Sequence, residues 1–248
     1  MLIEQSAYTN RWRQVSPAAK GFFSMCGLVA AFAATKPATA CGIAAFLCAV
    51  TILGAGIPPG RYLRVAAPAL LFLFVSTMSL AVSLKIGGSV RDVSLHLAQT
   101  EYDKVAQVCG RSLGGLAALL FLTLTTPLID IIALLRRLKA PEVLLDIMVL
   151  CYRTLFVFSE AVHDTITAQS ARLGYANVRL SMRSLGGLVA NITVQVWQRS
   201  QALHLAAMAR NNDGPLRFLE HTYPNFKRDM CIALCAGTAL VALSMVIV

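Results

Sequence analysis

The chain has 248 residues, of which 57% are hydrophobic and 14% charged, with a formal net charge of +10. A soluble domain of this length carries about 25% charged residues, so this composition lacks the polar surface that water demands. The positive charge sits beside long apolar runs, and loops on the cytoplasmic face of a membrane account for it more simply than nucleic acid does.

From the N-terminus, residues 1–20 are polar and hold no apolar core followed by a small-residue cleavage site, so no cleavable leader is expected. Spanning a bilayer takes about 17–25 apolar residues. The runs that meet or approach this length are Gly21–Thr35, Pro37–Gly60, Val65–Leu84, Ser112–Ile129 and Met230–Val248, with Lys20 and Lys36 expected to snorkel outward from the first. The segment 130–228 is different. Val143–Phe158 contains Asp146 and Arg153 and runs into Glu160. Charges at mid-span cost about 2.5–3.5 kcal/mol each. Asp146, Arg153, Glu160 and Thr167 recur every seven residues, so they form one stripe of an amphipathic helix. Leu185–Trp197, with Asn191 and Gln195 on one face, reads in the same way.

Charge supports this division. With the N-terminus cytoplasmic, 17 of the 22 basic residues fall inside and 5 outside, as the positive-inside rule requires. The fold expected is an all-α polytopic membrane protein with about five transmembrane helices, and long cytoplasmic amphipathic helices inserted before the last span. Its parts are an N-terminal segment 1–20, spans over 21–129, an insert over 130–228 and a last span over 229–248. The C-terminus is then outside.

Within the insert, helices are predicted over 128–139, 142–173 and 187–211. Pro141 opens the second, Gly174 stops it, a basic linker carries Arg179 and Arg183, and Asn211-Asn212-Asp213-Gly214-Pro215 ends the third. The two long helices end alike, in Ala171-Arg172-Leu173 and Ala209-Arg210-Asn211. A lone Arg in a last turn is ordinary complementation of the helix dipole. Two such ends on consecutive helices suit a docking role, because Arg offers a permanently charged fork of donors to a partner's carboxylates.

These ends resemble the Ala-Arg-Gly-type motifs of the transmembrane T component of energy-coupling factor (ECF) transporters, the EcfT/CbiQ family. The third position departs from the pattern, with Leu173 and Asn211 where the family has Gly. The spacing of Arg153 and Glu160 is also similar to the family. Ala7-Tyr8-Thr9-Asn10-Arg11-Trp12, Ser16-Pro17, Lys20, Gly56-Ile57-Pro58-Pro59 and Arg61-Tyr62-Leu63-Arg64 resemble its CbiQ branch, which serves cobalt and sometimes nickel uptake. The resemblance implies a non-catalytic scaffold in the bacterial inner (cell) membrane. It would link two CbiO/EcfA-like ATPase subunits to a CbiM-like substrate-capture subunit, with a small CbiN-like accessory subunit. It further implies coupling residues Ala171, Arg172, Leu173, Ala209, Arg210 and Asn211, supported by Arg153, Glu160 and Gly174. No cofactor or metal is implied on this chain, ATP and Mg being bound by the ATPases. A nickel or vitamin importer is the alternative within the family.

The residues themselves weigh against two other classes. A membrane enzyme should place titratable groups inside several spans, and the five runs hold no Asp, Glu, His, Lys or Arg. A self-sufficient secondary transporter favours inverted repeats around a midplane site, and no internal repeat is visible. Gly110-Arg111-Ser112-Leu113-Gly114-Gly115 lacks the Lys of a phosphate-binding loop. The seven cysteines form no Cys-x-x-Cys pair and the four histidines do not cluster, so a metal site is not expected.

Overall fold

A computed structural model describes residues 2–86, 93–97, 102–211, 223 and 226–246. The chain divides into two compact units, one formed by Met1–Leu134 with His221–Val248 and the other by Leu135–Glu220.

The first unit is a helix bundle: α1 (Leu2–Thr9), α2 (Pro17–Ala33), α3 (Pro37–Ala49), α4 (Pro59–Ala81), α5 (Tyr102–Thr125) and α9 (Phe226–Val246). Four stretches are long and apolar enough to cross a membrane: Pro37–Gly54, Pro59–Ser79, Val105–Thr125 and Phe226–Met245. The fifth expected span is α2, an apolar helix of 17 residues, at the short end of what a bilayer needs. The fold is therefore that of an all-α polytopic membrane protein. Small residues set its packing, as membrane helix interfaces favour: Ala30, Ala31, Ala34, Ala40 and Ala118 are buried around Leu47 and Phe121. Large apolar side chains such as Leu71, Phe72 and Phe74 on α4 point outward, as a lipid-facing surface requires.

Helix bounds shift from expectation for identifiable reasons. α2 starts four residues early because Ser16 caps it, its hydroxyl accepting from the Ala19 N–H at 3.3 Å, and Pro17 takes the first turn. α3 continues into a π-helical turn, Val50–Gly54, and the chain then reverses through Gly56 at φ +72°. α5 stops at Thr125, before Pro127, so Ile129 belongs to the next helix, α6 (Leu128–Arg137). α4 ends at Ala81, so Val82–Leu84, expected as the end of the third span, belong to β1 (Val82–Ile86), which pairs antiparallel with β2 (Val93–Leu97) of the expected outer loop, Val82 opposite Leu97. This small ladder is the one exception to an otherwise helical chain among the described residues.

Lys20 corrects a further expectation. It does not snorkel; it is 3% exposed, and its Nζ donates to the Thr125 carbonyl at 3.0 Å. Asn10 Nδ2 donates to the same carbonyl at 2.9 Å. The arrangement is reciprocal, since Arg111 of α5 donates to Ala34 O at the end of α2, at 3.1 Å from its closer nitrogen, and Gln107 donates to Thr35 O at 2.8 Å. Each helix thus places a cation or amide on the orphan carbonyls that end the other, where the dipole favours positive charge.

The second unit is built on α7 (Glu142–Ala171) and α8 (Val178–Ala209). α8 begins nine residues before the predicted 187, because Arg179, Arg183 and Gly186-Gly187 continue the helix, and the linker shrinks to residues 172–177. A clamp fixes this turn. Gln169 accepts from Tyr175 Oη at 2.6 Å and donates to Ser184 O at 3.1 Å, while Ser184 Oγ donates to Gly174 O at 2.9 Å.

Candidate functional site

The two Ala-Arg ends have the same local structure. Ala171 and Ala209 close their helices, and Arg172 and Arg210 follow as caps at φ −97°, ψ 18° and φ −99°, ψ 7°. Leu173 and Asn211 then adopt left-handed φ values of +58° and +49°. The Leu173 N–H donates to Ser170 O at 3.0 Å and the Gly174 N–H to Gln169 O at 2.9 Å, a Schellman turn; the Asn211 N–H donates to Met208 O at 3.0 Å. The turn that Gly would adopt is kept without Gly. α6 ends likewise, with Lys139 at φ +60° and bonds from Lys139 N to Arg136 O and from Ala140 N to Leu135 O.

Gly174 is therefore not the left-handed residue that sequence suggested; Leu173 is. Gly174 is needed for space, because a Cβ there would lie 2.7 Å from Ser184 Oγ and 2.9 Å from Gln169 O. A left-handed Leu costs about 1–2 kcal/mol relative to Gly. Leu173→Gly is accordingly expected to stabilise the hairpin by about 1 kcal/mol after the entropy of Gly is counted. Gly174→Ala should instead loosen it. Thermal unfolding of the purified variants in detergent, read by circular dichroism, gives both signs.

Ala171, Arg172, Leu173, Ala209, Arg210 and Asn211 are all exposed. Arg172 caps α7 and Arg210 caps α8, whose 32 residues make a rod of about 48 Å. Arg153 and Glu160 are exposed on α7, and no ion pair joins them to each other or to Asp146 among the described residues. Seven positions is two turns, about 10.5 Å, too far for direct pairing. Asp146 Oδ1 is buried without a hydrogen-bond partner among the described residues, so the stripe is not solvated along its whole length.

α7 and α8 carry many uncovered apolar side chains, among them Val143, Leu155, Val178, Met182, Val189 and Trp197, between 58% and 80% exposed. Leu145 and Leu188 are the buried residues of these two helices. Apolar exposure on this scale marks an interaction surface.

The N-terminal signature residues come together as packing. Trp12 stacks edge-on against Phe121 at 5.9 Å and lies where a Gly54 side chain would be. The Arg11 N–H donates to Ala55 O at 3.1 Å, Ile57 and Tyr62 are buried, and Tyr62 Oη lies 3.0 Å from Cys48 Sγ. These residues lock the α3–α4 turn and the end of α5. No local spacing announces this packing, because the fold alone brings Trp12 against Gly54. No group of three His, Cys, Asp or Glu side chains converges among the described residues.

A polytopic helical bundle joined to a long helical hairpin is the architecture of a membrane protein, and its family makes it a component of a transport system. The chain belongs to the CbiQ family, described as cobalt transport protein, whose pattern it matches over residues 9–220. It is 31% identical to the cobalt transport protein CbiQ of Rhodobacter capsulatus over 88% of this chain and 86% of that one. It is 37% identical to an uncharacterized protein of Methanocaldococcus jannaschii over 50% of this chain and 47% of that one. It is 25% identical to a putative fused cobalt transport protein CbiMQ of Methanocorpusculum labreanum over 86% of this chain. The chain spans less than half the length of the latter two relatives, 47% and 37%.

Proposed function

We propose that this chain is the membrane scaffold of an energy-coupling factor importer for cobalt ions, carrying the motion of two ATPase subunits to a separate substrate-capture subunit. The observation that supports it most is the matched pair of exposed Arg caps, Arg172 ending α7 and Arg210 ending α8. Two such caps, with the 32 residues of α8 between them along the chain, suit two separate grooves, one on each ATPase. Stiff helices displaced at these ends can drive the membrane bundle, provided their contacts differ between the nucleotide states.

The rest of the assignment follows from charge and kinship. The positive-inside rule puts the N-terminus and the α7–α8 hairpin in the cytoplasm and the C-terminus outside the inner membrane. ATP and Mg bind the partner subunits, and this chain is non-catalytic. The relative from Methanocorpusculum labreanum carries a name that joins CbiM to CbiQ in one chain. This favours a CbiM-like capture subunit, with a small CbiN-like subunit beside it.

Uptake of labelled cobalt by cells making the whole candidate system tests the reading, with nickel and vitamin substrates alongside. Cobalt uptake that needs this chain and a hydrolysis-competent ATPase is the expected result. Uptake by this chain alone would instead make it a secondary carrier, and uptake of nickel or a vitamin without cobalt would move it to another branch.

A further inference from the structure

One cavity in the membrane bundle is unexplained by coupling. It has a volume of about 380 Å³ and lies among α2, α3, α5 and α9, with Trp12, Phe23, Phe121 and Ile232 on its apolar walls. Two charged residues line it, Lys20 and Asp229. Both lie near the start of a helix, α2 and α9 respectively, so they mark one end of the cavity at one level of the bundle. Ile232, one turn beyond Asp229 on the α9 wall, is 57% exposed, as a residue facing lipid would be.

Lys20 is 3% exposed, and Thr125 O is the acceptor its ammonium reaches among the described residues. An ammonium has three donors, so its capacity is unspent. Asp229 uses Oδ2 to accept the Ser16 N–H at 3.3 Å, which leaves its other oxygen to accept elsewhere. The cavity is too small for a partner's helix, which is about 10–12 Å across with side chains, yet it falls in the range of about 300–1,000 Å³ typical of small-ligand sites.

We propose that this cavity binds one aminophospholipid of the adjoining leaflet, an acyl chain between the aromatic rings, its phosphate toward Lys20 and its ammonium toward Asp229. A cation and an anion side by side match a zwitterionic head group with an exposed ammonium better than an anionic one, which Asp229 repels. The fit rests on the membrane bundle alone and stands whether or not the coupling proposal does.

The chain has two tryptophans, Trp12 and Trp197, and Trp197→Phe leaves Trp12 as a reporter on the cavity wall. The full chain would be placed in lipid nanodiscs containing phosphatidylethanolamine, phosphatidylglycerol or phosphatidylcholine with brominated acyl chains, which quench tryptophan on contact. Expected is quenching that saturates at a low fraction of brominated phosphatidylethanolamine, with a roughly threefold to fivefold preference over phosphatidylglycerol, the scale of one partly exposed ion pair. Ala236 lines the cavity and is exposed, so Ala236→Phe should fill the cavity without disturbing the bundle and remove the saturable part. Asp229→Asn should abolish the head-group preference. Quenching proportional to the bulk brominated fraction, equal for the three lipids and unchanged by Ala236→Phe, would reduce the site to ordinary lipid contact and overturn the proposal. So would loss of quenching on assembly with the partner subunits, which would give the cavity to a protein side chain.

Discussion

Replacing Arg172 and Arg210 together by Ala is expected to abolish ATP-driven uptake while leaving membrane insertion intact. Both guanidinium groups are exposed on helix caps whose geometry comes from backbone bonds, so their loss should leave the caps standing. Truncating one partner of a buried, hydrogen-bonded charge pair costs about 2–5 kcal/mol. Each peg lost should therefore weaken association with an ATPase by about 30-fold to several-thousandfold. Lys in place of Arg keeps the charge but not the planar fork, and intermediate binding is expected. Co-purification of the ATPases with each variant, beside cobalt uptake, gives the result. An inserted double variant that transports within twofold of the wild type would leave these ends as ordinary helix termini.

The second large effect concerns glycine, with opposite signs at two positions. Gly114 on α5 meets α2 so closely that an added Cβ would stand 2.5 Å from Ala31 Cβ, and Gly110 would place one 3.0 Å from Ala40 Cβ. Gly114→Val must push α5 away from α2 and strain the reciprocal caps at both their ends. Overpacking costs about 1–3 kcal/mol where a core can adjust, and the upper end is expected here because the opposing atom is a short, rigid side chain. Gly186 has open space around it and lies inside α8, so Gly186→Ala should stabilise by about 0.8–1 kcal/mol through helix propensity alone. Thermal stability of the detergent-solubilised variants, followed by loss of monodispersity, should move down for Gly114→Val and up for Gly186→Ala.

That contrast also shows what the sequence could and could not reveal. Apolar run length located the four helices long enough to cross a membrane and the shorter apolar α2, because hydrocarbon thickness is a strong constraint on composition. The repeated Ala-Arg ends were legible because helix length and capping are local. Gly186-Gly187 misled, since a Gly pair reads as a break but here lies on an exposed helix face, where the cost is small beside the hydrogen-bond ladder of a 32-residue helix. Lys20 misled for a different reason. Snorkelling is the default for a lysine near a helix end, and only the tertiary approach of the Thr125 carbonyl, 105 residues away, makes burial preferable. The left-handed Leu173 and Lys139 run against residue preference altogether. They are fixed by the demands of the turn, which no propensity scale carries. The cavity could not be foreseen at all, as its walls bring the neighbouring α2 and α3 together with α5 and α9, which are remote in sequence.

The bare flanks of α7 and α8 have a consequence for how the cell must make this protein. A subunit whose hairpin shows Val143, Val178 and Trp197 to its surroundings is sticky until something covers it. Synthesised in excess, it would occupy chaperones, aggregate, or be cleared by the proteases that patrol for orphaned subunits. Its abundance would then be set by the supply of its partners, whatever the strength of its own promoter.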